Sequence, residues 1–211
     1  MSNTNRLFAV GDIHGCSTAL AALVEAIRPG PQDTLVFLGD YIDRGIDSKG
    51  VMDQVIALGR RCRLIPLRGN HEQMLLDART DRWALEFWLA CGGVTTLDSY
   101  GFGAGLDDIP SEHWRFLENC RQDYETETHV FTHMKANFRL PADPEDGRPL
   151  WPRVSGKVGI VGHVAQRGGD VLDEGFLVNI DTFCHGGGWL TALEVHTGEV
   201  WQADERGRLR G

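Results

Sequence analysis

The sequence predicts an α/β fold in which helices cover both faces of a mainly parallel β-sheet. Over residues 6–67, short apolar runs alternate with stretches in which apolar residues recur at helical spacing, in the order strand, helix, strand, helix, strand. Glycine accounts for 26 of the 211 residues, well above the roughly 7% of average proteins, which indicates many tight turns. No internal repeat or linker-like stretch divides the chain, so we expect a single domain over residues 1–211.

The first five elements are defined by their apolar residues. Residues 6–10 form a short apolar run, as expected of a buried strand. Between residues 20 and 27 the apolar side chains recur at i, i+3, i+4 and i+7, which predicts a helix with Ser17 or Thr18 as its N-cap. The next strand, helix and strand are predicted at residues 34–38, 51–58 and 64–67.

The later elements follow from the same patterns. Residues 72–91 are predicted to form one long helix that stops at Gly92-Gly93, and a further helix is expected near residues 111–121. Residues 128–132 are predicted to form a strand. The C-terminal part is predicted to consist of short strands joined by tight turns, at residues 158–161, 171–173, 176–180, 190–195 and 199–203.

Charge and composition exclude several classes of protein. The chain has 21 Lys and Arg against 30 Asp and Glu, a formal net charge of −9, which argues against a broad nucleic-acid surface. Five widely spaced cysteines without a CxxC motif indicate reduced thiols rather than a disulfide framework. No apolar run is long enough for a signal peptide or a membrane span. We therefore expect a cytoplasmic protein, a monomer, without nucleic-acid or membrane partners.

Polar side chains cluster where the predicted strands end. Three strands end in glycine-containing turns at residues 11–15, 39–45 and 69–72, and two later runs end at His133 and His163. In open α/β sheets, ligands bind beyond the carboxyl ends of the strands. These turns would bring together carboxylate, imidazole and amide groups, which suit Mn, Fe or Zn. The candidate metal ligands are Asp12, His14, Asp40, Asn70, His133 and His163.

This set of residues suits phosphoester chemistry. Asp40 lies on the middle turn and can bridge two ions, which at roughly 3.5–4 Å apart can hold a water, lower its pKa and clamp a phosphate. Arg44 can grip phosphate oxygens with its planar guanidinium. His71 diverges from its neighbour Asn70 and is free to act as a general acid, with Asp43 to orient it and keep it protonated.

The three turns also resemble the signature blocks of a known family. Gly-Asp-Ile-His-Gly, Gly-Asp-Tyr-Ile-Asp-Arg-Gly and Gly-Asn-His-Glu, which start at Gly11, Gly39 and Gly69, resemble those of the calcineurin-like metallophosphoesterases, in the phosphoprotein phosphatase branch. Gly162-His163 extends the resemblance, and the ending from Ile180 onward is similar to the short bacterial serine/threonine phosphatases. The resemblance implies a four-layer αββα sandwich with two central β-sheets, rather than one doubly wound sheet.

The resemblance also implies roles for individual residues. Asp12, His14 and Asp40 would hold a first divalent metal ion. A second ion would be held by Asp40, Asn70, His133 and His163. Manganese is the expected metal, with Fe, Zn, Ni or Co as alternatives. His71 paired with Asp43 would protonate the leaving group, and the phosphate would be bound by Arg44, Asn70 and Arg68.

The chain departs from the family pattern after the fourth block. His133 is followed by Met134-Lys135, and the stretch from 134 to 157 is short for the family. That stretch should carry another phosphate-binding arginine. Arg139, Arg148 and Arg153 compete for this role, and Arg153 is preferred because it follows the Leu-Trp pair.

Each candidate residue has a structural alternative. Asp12 and Asp40 could be helix caps or Asx-turn residues, and His133 and His163 could be core histidines. His185, in a glycine-rich stretch, could be a metal ligand, but a loop role is the favoured interpretation. Because the candidates fall at five strand ends in register, the functional interpretation is preferred over coincidence.

The sequence thus predicts a metal-dependent phosphomonoester hydrolase, specifically a serine/threonine protein phosphatase. Its substrate would be a phosphorylated protein or a small phosphoester. The alternative enzyme is a dinucleoside polyphosphate hydrolase, such as a diadenosine tetraphosphate hydrolase, which shares the three blocks. A regulator that binds phosphorylated partners without turnover is a third possibility, but such a module would not need the acid His71.

Overall fold

The structure, a computed structural model, describes residues 5–133 and 156–211. These ranges contain ten strands, β1 to β10, at Leu7–Val10, Thr34–Phe37, Arg63–Pro66, Asp123–Glu125, His129–Thr132, Val158–Val161, Leu172–Asp173, Leu177–Asn179, Leu190–Glu194 and Val200–Ala203. They also contain six α-helices, α1 to α6, at Ser17–Ile27, Ser48–Leu58, Asn70–Ala78, Arg82–Trp88, Val94–Tyr100 and Ser111–Asn119. No helix in these ranges is long and apolar enough to cross a lipid bilayer.

The first sheet has the strand order β10-β9-β1-β2-β3. Strands β1, β2 and β3 are parallel, with Leu7 opposite Thr34 and Thr34 opposite Arg63. Strand β9 pairs with β1 in the antiparallel direction, and β9 and β10 form a hairpin. The parallel arrangement of the first three strands brings their carboxyl ends, and the turns that follow them, to one edge of the sheet.

The second sheet has the order β4-β5-β6-β8-β7, in which β5, β6 and β8 are parallel and the edge strands are antiparallel. The sequence predicts each of these strands except β4. That strand is missed because it is three residues long, and Tyr124 is its single apolar residue between two acidic ones. Its charged side chains suit the edge of a sheet, where pairing with another chain must be discouraged.

The two sheets pack face to face. Ala9, Val36 and Ile65 of the first sheet belong to the same buried cluster as Phe131 and Ile160 of the second sheet. The intervening residues of β1 and β2 point to the opposite face, where they pack with α1 and α2. The first sheet is thus buried on both sides, which explains why its strands read as continuous apolar runs. The expectation of two central sheets combined with helices is confirmed.

The predicted helix over residues 72–91 is wrong in its extent. Helix α3 ends at Ala78, and residues 79–81 separate it from α4. Asp81 is the N-cap of α4, because its side chain accepts hydrogen bonds from the N–H groups of Trp83 and Ala84. Gly92, with φ of 115°, kinks the chain without ending the helical region. A π-helical turn over Leu89–Gly93 leads directly into α5. The apolar residues keep a helical spacing through the break at residues 79–81 and through the π-helical turn. The sequence pattern therefore does not indicate either of them.

The predicted cap of α1 is also wrong. The N-cap residue is Cys16, which makes no capping hydrogen bond through its side chain. The hydroxyl of Ser17 instead donates to Oδ2 of Asp47 at 2.5 Å. Asp47 in turn caps α2 by accepting the N–H of Gly50. Ser17 therefore ties the start of one helix to the start of the next, which single-helix reasoning does not predict.

Candidate active site

Asp40 lies at the centre of the candidate site, in the turn that follows β2. Its Oδ2 atom is 3.3 Å from Nε2 of His14, and its Oδ1 atom is 3.4 Å from Nε2 of His133. His14 comes from the turn after β1 in the first sheet, whereas His133 follows β5 in the second sheet. One buried carboxylate thus faces two separate sets of ligand atoms, as a bridging ligand must.

One of these sets surrounds His133. Its Nδ1 atom donates to the carbonyl of Leu38 at 3.0 Å, so the neutral ring keeps a lone pair on Nε2. That Nε2 atom is 3.0 Å from Oδ1 of Asn70 and 3.2 Å from Nδ1 of His163. The ligand atoms of His133, His163 and Asp40 all lie within 4.8 Å of one another. The structure therefore brings all four predicted ligands of the second ion together.

The other set is built around His14. Its Nδ1 atom donates to the carbonyl of Ile42 at 2.9 Å, which leaves the Nε2 lone pair facing Asp40. Nη1 of Arg44 lies 3.1 Å from the same Nε2 atom. The ligand atoms of His14, Asp40 and His71 lie within 4.8 Å of one another. This group contains two of the three predicted ligands of the first ion, together with the predicted acid.

Asp12, the third predicted ligand of the first ion, is buried next to this group. Its carboxylate accepts the backbone N–H of His163 at 3.0 Å and lies 3.9 Å from Nδ1 of His133. A methyl group on Gly162 would collide with Oδ1 of Asp12, so glycine is required there. Burial, Asp181 and Asp40 together raise the pKa of Asp12 well above its ordinary value. Asp181 is not singled out as a site residue by the sequence. Its carboxylate adds to the negative charge around Asp12.

The backbone around the site adopts an unusual conformation. Seven of the described residues that are not glycine have φ in the left-handed region, and five of them are candidate site residues: His14 at 45°, Asp40 at 50°, Asp43 at 71°, Arg44 at 68° and His163 at 69°. This conformation costs on the order of 1–3 kcal/mol for a residue with a Cβ atom, and it persists where surrounding contacts enforce it. These strained conformations occur at the predicted ligands and their neighbours. They lower the stability of the folded state but orient the side chains of the site.

Glu72 holds two of these turns in place. Its carboxylate accepts the N–H groups of Asp40, Tyr41 and Gly69, each at 2.8 Å. The side chain is fully buried, so these bonds join the turn after β2 to the start of α3 in an environment without water. Glu72 therefore braces the site rather than facing it.

His71 and Asp43 form a short buried pair. Nδ1 of His71 lies 2.6 Å from Oδ2 of Asp43, and both side chains are almost inaccessible to water. Burial alone would lower the pKa of His71, but the hydrogen bond to Asp43 and the charge of Asp40 raise it above its ordinary value. With Nδ1 committed to Asp43, the proton that could be transferred is on Nε2, which lies 4.0 Å from Oδ2 of Asp40.

Asp43 is itself fixed by side chains from α4 and α5. The indole N–H of Trp88 donates to Oδ2 of Asp43 at 2.8 Å, and the hydroxyl of Thr96 donates to Oδ1 at 2.6 Å. Both side chains are fully buried. Sequence reasoning missed Trp88 and Thr96, because apolar spacing in a helix gives no sign that a buried Trp or Thr serves a carboxylate. The π-helical turn between the two helices places both donors on the same acceptor.

Replacing Thr96 with Val should lower the free energy of unfolding by about 1.5–3 kcal/mol and kcat for p-nitrophenyl phosphate by roughly tenfold. Valine keeps the shape of the side chain but leaves one oxygen of buried Asp43 without its donor. Urea denaturation and steady-state kinetics measure the two effects. Thr80→Val, at an exposed position after α3, should change neither. Unaltered stability and kcat in Thr96→Val would show that the hydroxyl has no positioning role.

The remaining predicted phosphate-binding arginines are Arg68 and Arg153. The guanidinium of Arg68 donates to the carbonyls of Leu117 and Glu118 at 3.1 and 2.8 Å, and to the side chain of Gln73. These contacts hold the guanidinium of Arg68 against the C-terminal end of α6. Arg153, like Arg139 and Arg148, lies outside the described residues.

His185 is closer to the site than its favoured loop role suggests. It lies on a 3₁₀ turn over Cys184–Gly186, and its ring stands edge-on to that of His14 with the centroids 4.6 Å apart. On its other side it contacts the ring of Phe183, with the centroids 4.9 Å apart. Burial and the nearby charge of Arg44 lower the pKa of His185 to about 4. A neutral imidazole therefore borders the candidate ligands.

Comparison with protein families gives the site its context. Residues 6–173 match the model of the calcineurin-like phosphoesterase family, and this range is most of the chain. The chain belongs to the calcineurin-like phosphoesterase family. The match contains every candidate ligand from Asp12 to His163. The resemblance drawn from the three glycine-containing turns is therefore confirmed.

Two kinds of calcineurin-like relative are similar in sequence. Serine/threonine-protein phosphatase 1 of Salmonella typhimurium is 46% identical over 92 residues, which is 43% of this chain and 40% of that protein. The symmetrical bis(5'-nucleosyl)-tetraphosphatase of a Janthinobacterium species is 44% identical over 70 residues, 33% of this chain and 25% of that protein. The aligned regions thus span less than half of either relative.

Solved structures show the same fold across nearly the whole chain. A protein assigned as a diadenosine tetraphosphatase superimposes with a TM-score of 0.67 at 22% identity, covering 96% of this chain and 94% of that one. The cold-active protein-tyrosine phosphatase of a psychrophilic Shewanella species gives a TM-score of 0.59 at 18% identity, covering 99% and 80%. At these identities the likeness establishes the architecture and leaves the substrate open.

Membership in the calcineurin-like phosphoesterase family implies divalent metal ions, and the donor atoms of this chain fit them. Burial lowers the pKa of His14, and lowers that of His133 to about 4, so both rings are neutral and can offer a lone pair. The carboxylates of Asp12, Asp40 and Asp181 are buried close together, and a bound cation would relieve their mutual repulsion. Mixed oxygen and imidazole donors are those of Mn, Fe or Zn sites.

Proposed function

We propose that this chain is a serine/threonine protein phosphatase that works with two divalent metal ions, manganese being the expected metal. Asp40 would bridge the ions. The remaining ligands would be Asp12 and His14 on one side and Asn70, His133 and His163 on the other. The observation that carries the proposal is the buried His71–Asp43 pair, 2.6 Å long, set against the carboxylate that both ligand sets share.

Different side chains of the site would carry out different steps of phosphoester hydrolysis. Divalent cations, when bound at such a site, activate a water and neutralise charge on the phosphoryl oxygens. Arg44 would orient the phosphoryl group through its guanidinium, with the amide of Asn70 beside it. His71 would hold a proton on Nε2 and give it to the leaving oxygen, while Asp43 keeps Nδ1 protonated and the ring in place.

Two findings support a phosphorylated protein as the substrate. The longer and more identical of the two sequence matches is to a serine/threonine-protein phosphatase, at 46% over 92 residues. The second is the exposed side chain of Arg44 at the mouth of the site, since a phosphorylated residue on a protein surface must be reached from solvent.

A second candidate function is hydrolysis of dinucleoside polyphosphates. It is favoured by the 44% identity over 70 residues to a symmetrical bis(5'-nucleosyl)-tetraphosphatase. That match covers a smaller share of this chain than the phosphatase match does, so the protein phosphatase is preferred.

A direct comparison of substrates tests the proposal. The chain is loaded with Mn²⁺, and kcat/KM is measured for a phosphoserine peptide, for diadenosine tetraphosphate and for p-nitrophenyl phosphate. We expect the peptide to have the higher kcat/KM of the two biological substrates. A preference for diadenosine tetraphosphate would establish the second candidate. Absence of turnover with all three substrates would favour a module that binds phosphate without hydrolysis.

A further inference from the structure

A cavity of about 640 Å³ opens beside the catalytic residues. Arg44 forms its inner end together with His185, and its outer part is bordered by Ile46, Glu205 and Arg206. These residues come from three separate parts of the chain: the turn after β2, the 3₁₀ turn before β9, and the turn after β10. Volumes of this order are typical of sites that enclose a ligand. The cavity is therefore continuous with the place where the substrate phosphate would be held.

The chemistry of the lining indicates what the cavity would bind. Ile46 is 88% exposed, so an apolar side chain stands unpaired next to the phosphate-binding Arg44. Glu205 and Arg206 add exposed charges of both signs. His185 is the single aromatic ring on the described wall, so a nucleobase would find little surface on which to stack. Mixed apolar and charged groups along an open cavity suit a polypeptide segment with mixed side chains.

His185 supports this interpretation from the inner end of the cavity. Within the described residues neither of its ring nitrogens has a hydrogen-bond partner, although its ring is half buried between Phe183 and His14. The turn that carries it is constrained, since Phe183 and Gly187 both have φ in the left-handed region. A fixed polar ring with free nitrogens at the wall of a cavity is positioned to bond to a ligand.

We infer that this cavity binds the stretch of polypeptide that flanks the phosphorylated residue. This inference rests on the proposed function, because it assigns the substrate of the same site. The phosphate would lie at Arg44, and neighbouring residues of the substrate would contact Ile46 and Arg206 at the outer end. A small aryl phosphate would fill the inner end and leave the outer part empty.

The test is a double variant, Ile46→Ser with Arg206→Glu, assayed with a phosphoserine peptide of about ten residues and with p-nitrophenyl phosphate. The ratio of kcat/KM for the peptide to kcat/KM for the aryl phosphate should fall about tenfold. The matched control is Val200→Ser with Arg61→Glu. It changes an exposed apolar residue and an exposed arginine at the opposite ends of the strands, and should leave the ratio unchanged. Thermal unfolding midpoints close to that of the wild type would show that both variants fold.

The outcomes separate this inference from the proposed function. If the wild-type chain hydrolyses the peptide and the ratio stays constant in the double variant, the cavity proposal is overturned and the protein phosphatase stands. If the wild-type chain hydrolyses the aryl phosphate but not the peptide, both proposals fail. An equal fall with diadenosine tetraphosphate in place of the peptide would assign the cavity to nucleotides and also overturn the inference.

Discussion

Replacing Asp40 with Asn is expected to reduce kcat for p-nitrophenyl phosphate by about a thousandfold or more, because several kcal/mol of transition-state stabilisation depend on the metal site. The Oδ1 atom of Asp40 lies 3.4 Å from His133 and its Oδ2 atom lies 3.3 Å from His14. Asparagine has nearly the same shape, but its amide nitrogen cannot ligate a cation and the negative charge is lost. The two ligand sets would then no longer share a ligand.

Metal content measured by mass spectrometry distinguishes this explanation from a general disturbance. We expect the Asp40→Asn chain to retain fewer manganese ions than the wild type, and His133→Ala to behave in the same way. Asp123→Asn, at an exposed position on the edge strand β4, provides the matched control and should keep both activity and metal. Full activity in Asp40→Asn or in His133→Ala would contradict the two-metal assignment.

The grouping of ligands within the first sheet could be predicted from the sequence. Parallel strands β1, β2 and β3 end at one edge, so the polar residues in the turns that follow these strands are brought to the same place. His14 and Asp40 lie in the turns after β1 and β2, and Asn70 follows β3 at the start of α3. The order and direction of these strands are enough to explain why the three residues lie close together. The alternation of apolar and glycine-containing segments was sufficient to predict it.

The contribution of the second sheet could not be derived in this way. His133 and His163 also follow strands, but those strands belong to a sheet that packs against the first one. Periodicity identifies a strand without showing which sheet it joins, so a single doubly wound sheet was an equally valid prediction from the residues. The resemblance to the calcineurin-like phosphoesterases supplied the second sheet, and the packing of Phe131 and Ile160 against the first sheet confirms it.

The supporting residues of the site were harder still to predict. Trp88 and Thr96 reach Asp43 because a π-helical turn and a kink at Gly92 reorient α5 relative to α4. A regular helix through this region would preserve the apolar spacing but place the side chains differently, so the sequence pattern cannot tell the two apart. The role of Arg68 in phosphate binding stays a prediction: its position in a family block suggests that role, and the structure shows its guanidinium hydrogen-bonded to the end of α6.

Replacing His71 with Asn is expected to lower kcat by roughly 10²- to 10⁴-fold, with the larger losses on substrates whose leaving groups are poor. The reason is that His71, held by Asp43 at 2.6 Å, would supply the proton that a basic leaving oxygen needs, whereas p-nitrophenolate can depart with less assistance. The measurement is kcat for a series of aryl and alkyl phosphates, plotted against the pKa of the leaving group. The slope should be steeper for His71→Asn than for the wild type.

The geometry allows His71 to act either as a proton donor or as a metal ligand. The metal content of the His71→Asn variant distinguishes these two roles. Its Nε2 atom is 4.0 Å from Oδ2 of Asp40 and within 4.8 Å of the ligand atom of His14, so the ring could in principle ligate an ion as well as donate a proton. A general acid can be removed without loss of metal, so His71→Asn should keep the manganese content of the wild type. His196→Asn, in the exposed turn after β9, should change neither slope nor metal. If His71→Asn instead loses an ion and kcat falls equally for every leaving group, His71 is a metal ligand. Another group in the site would then have to donate the proton to the leaving oxygen.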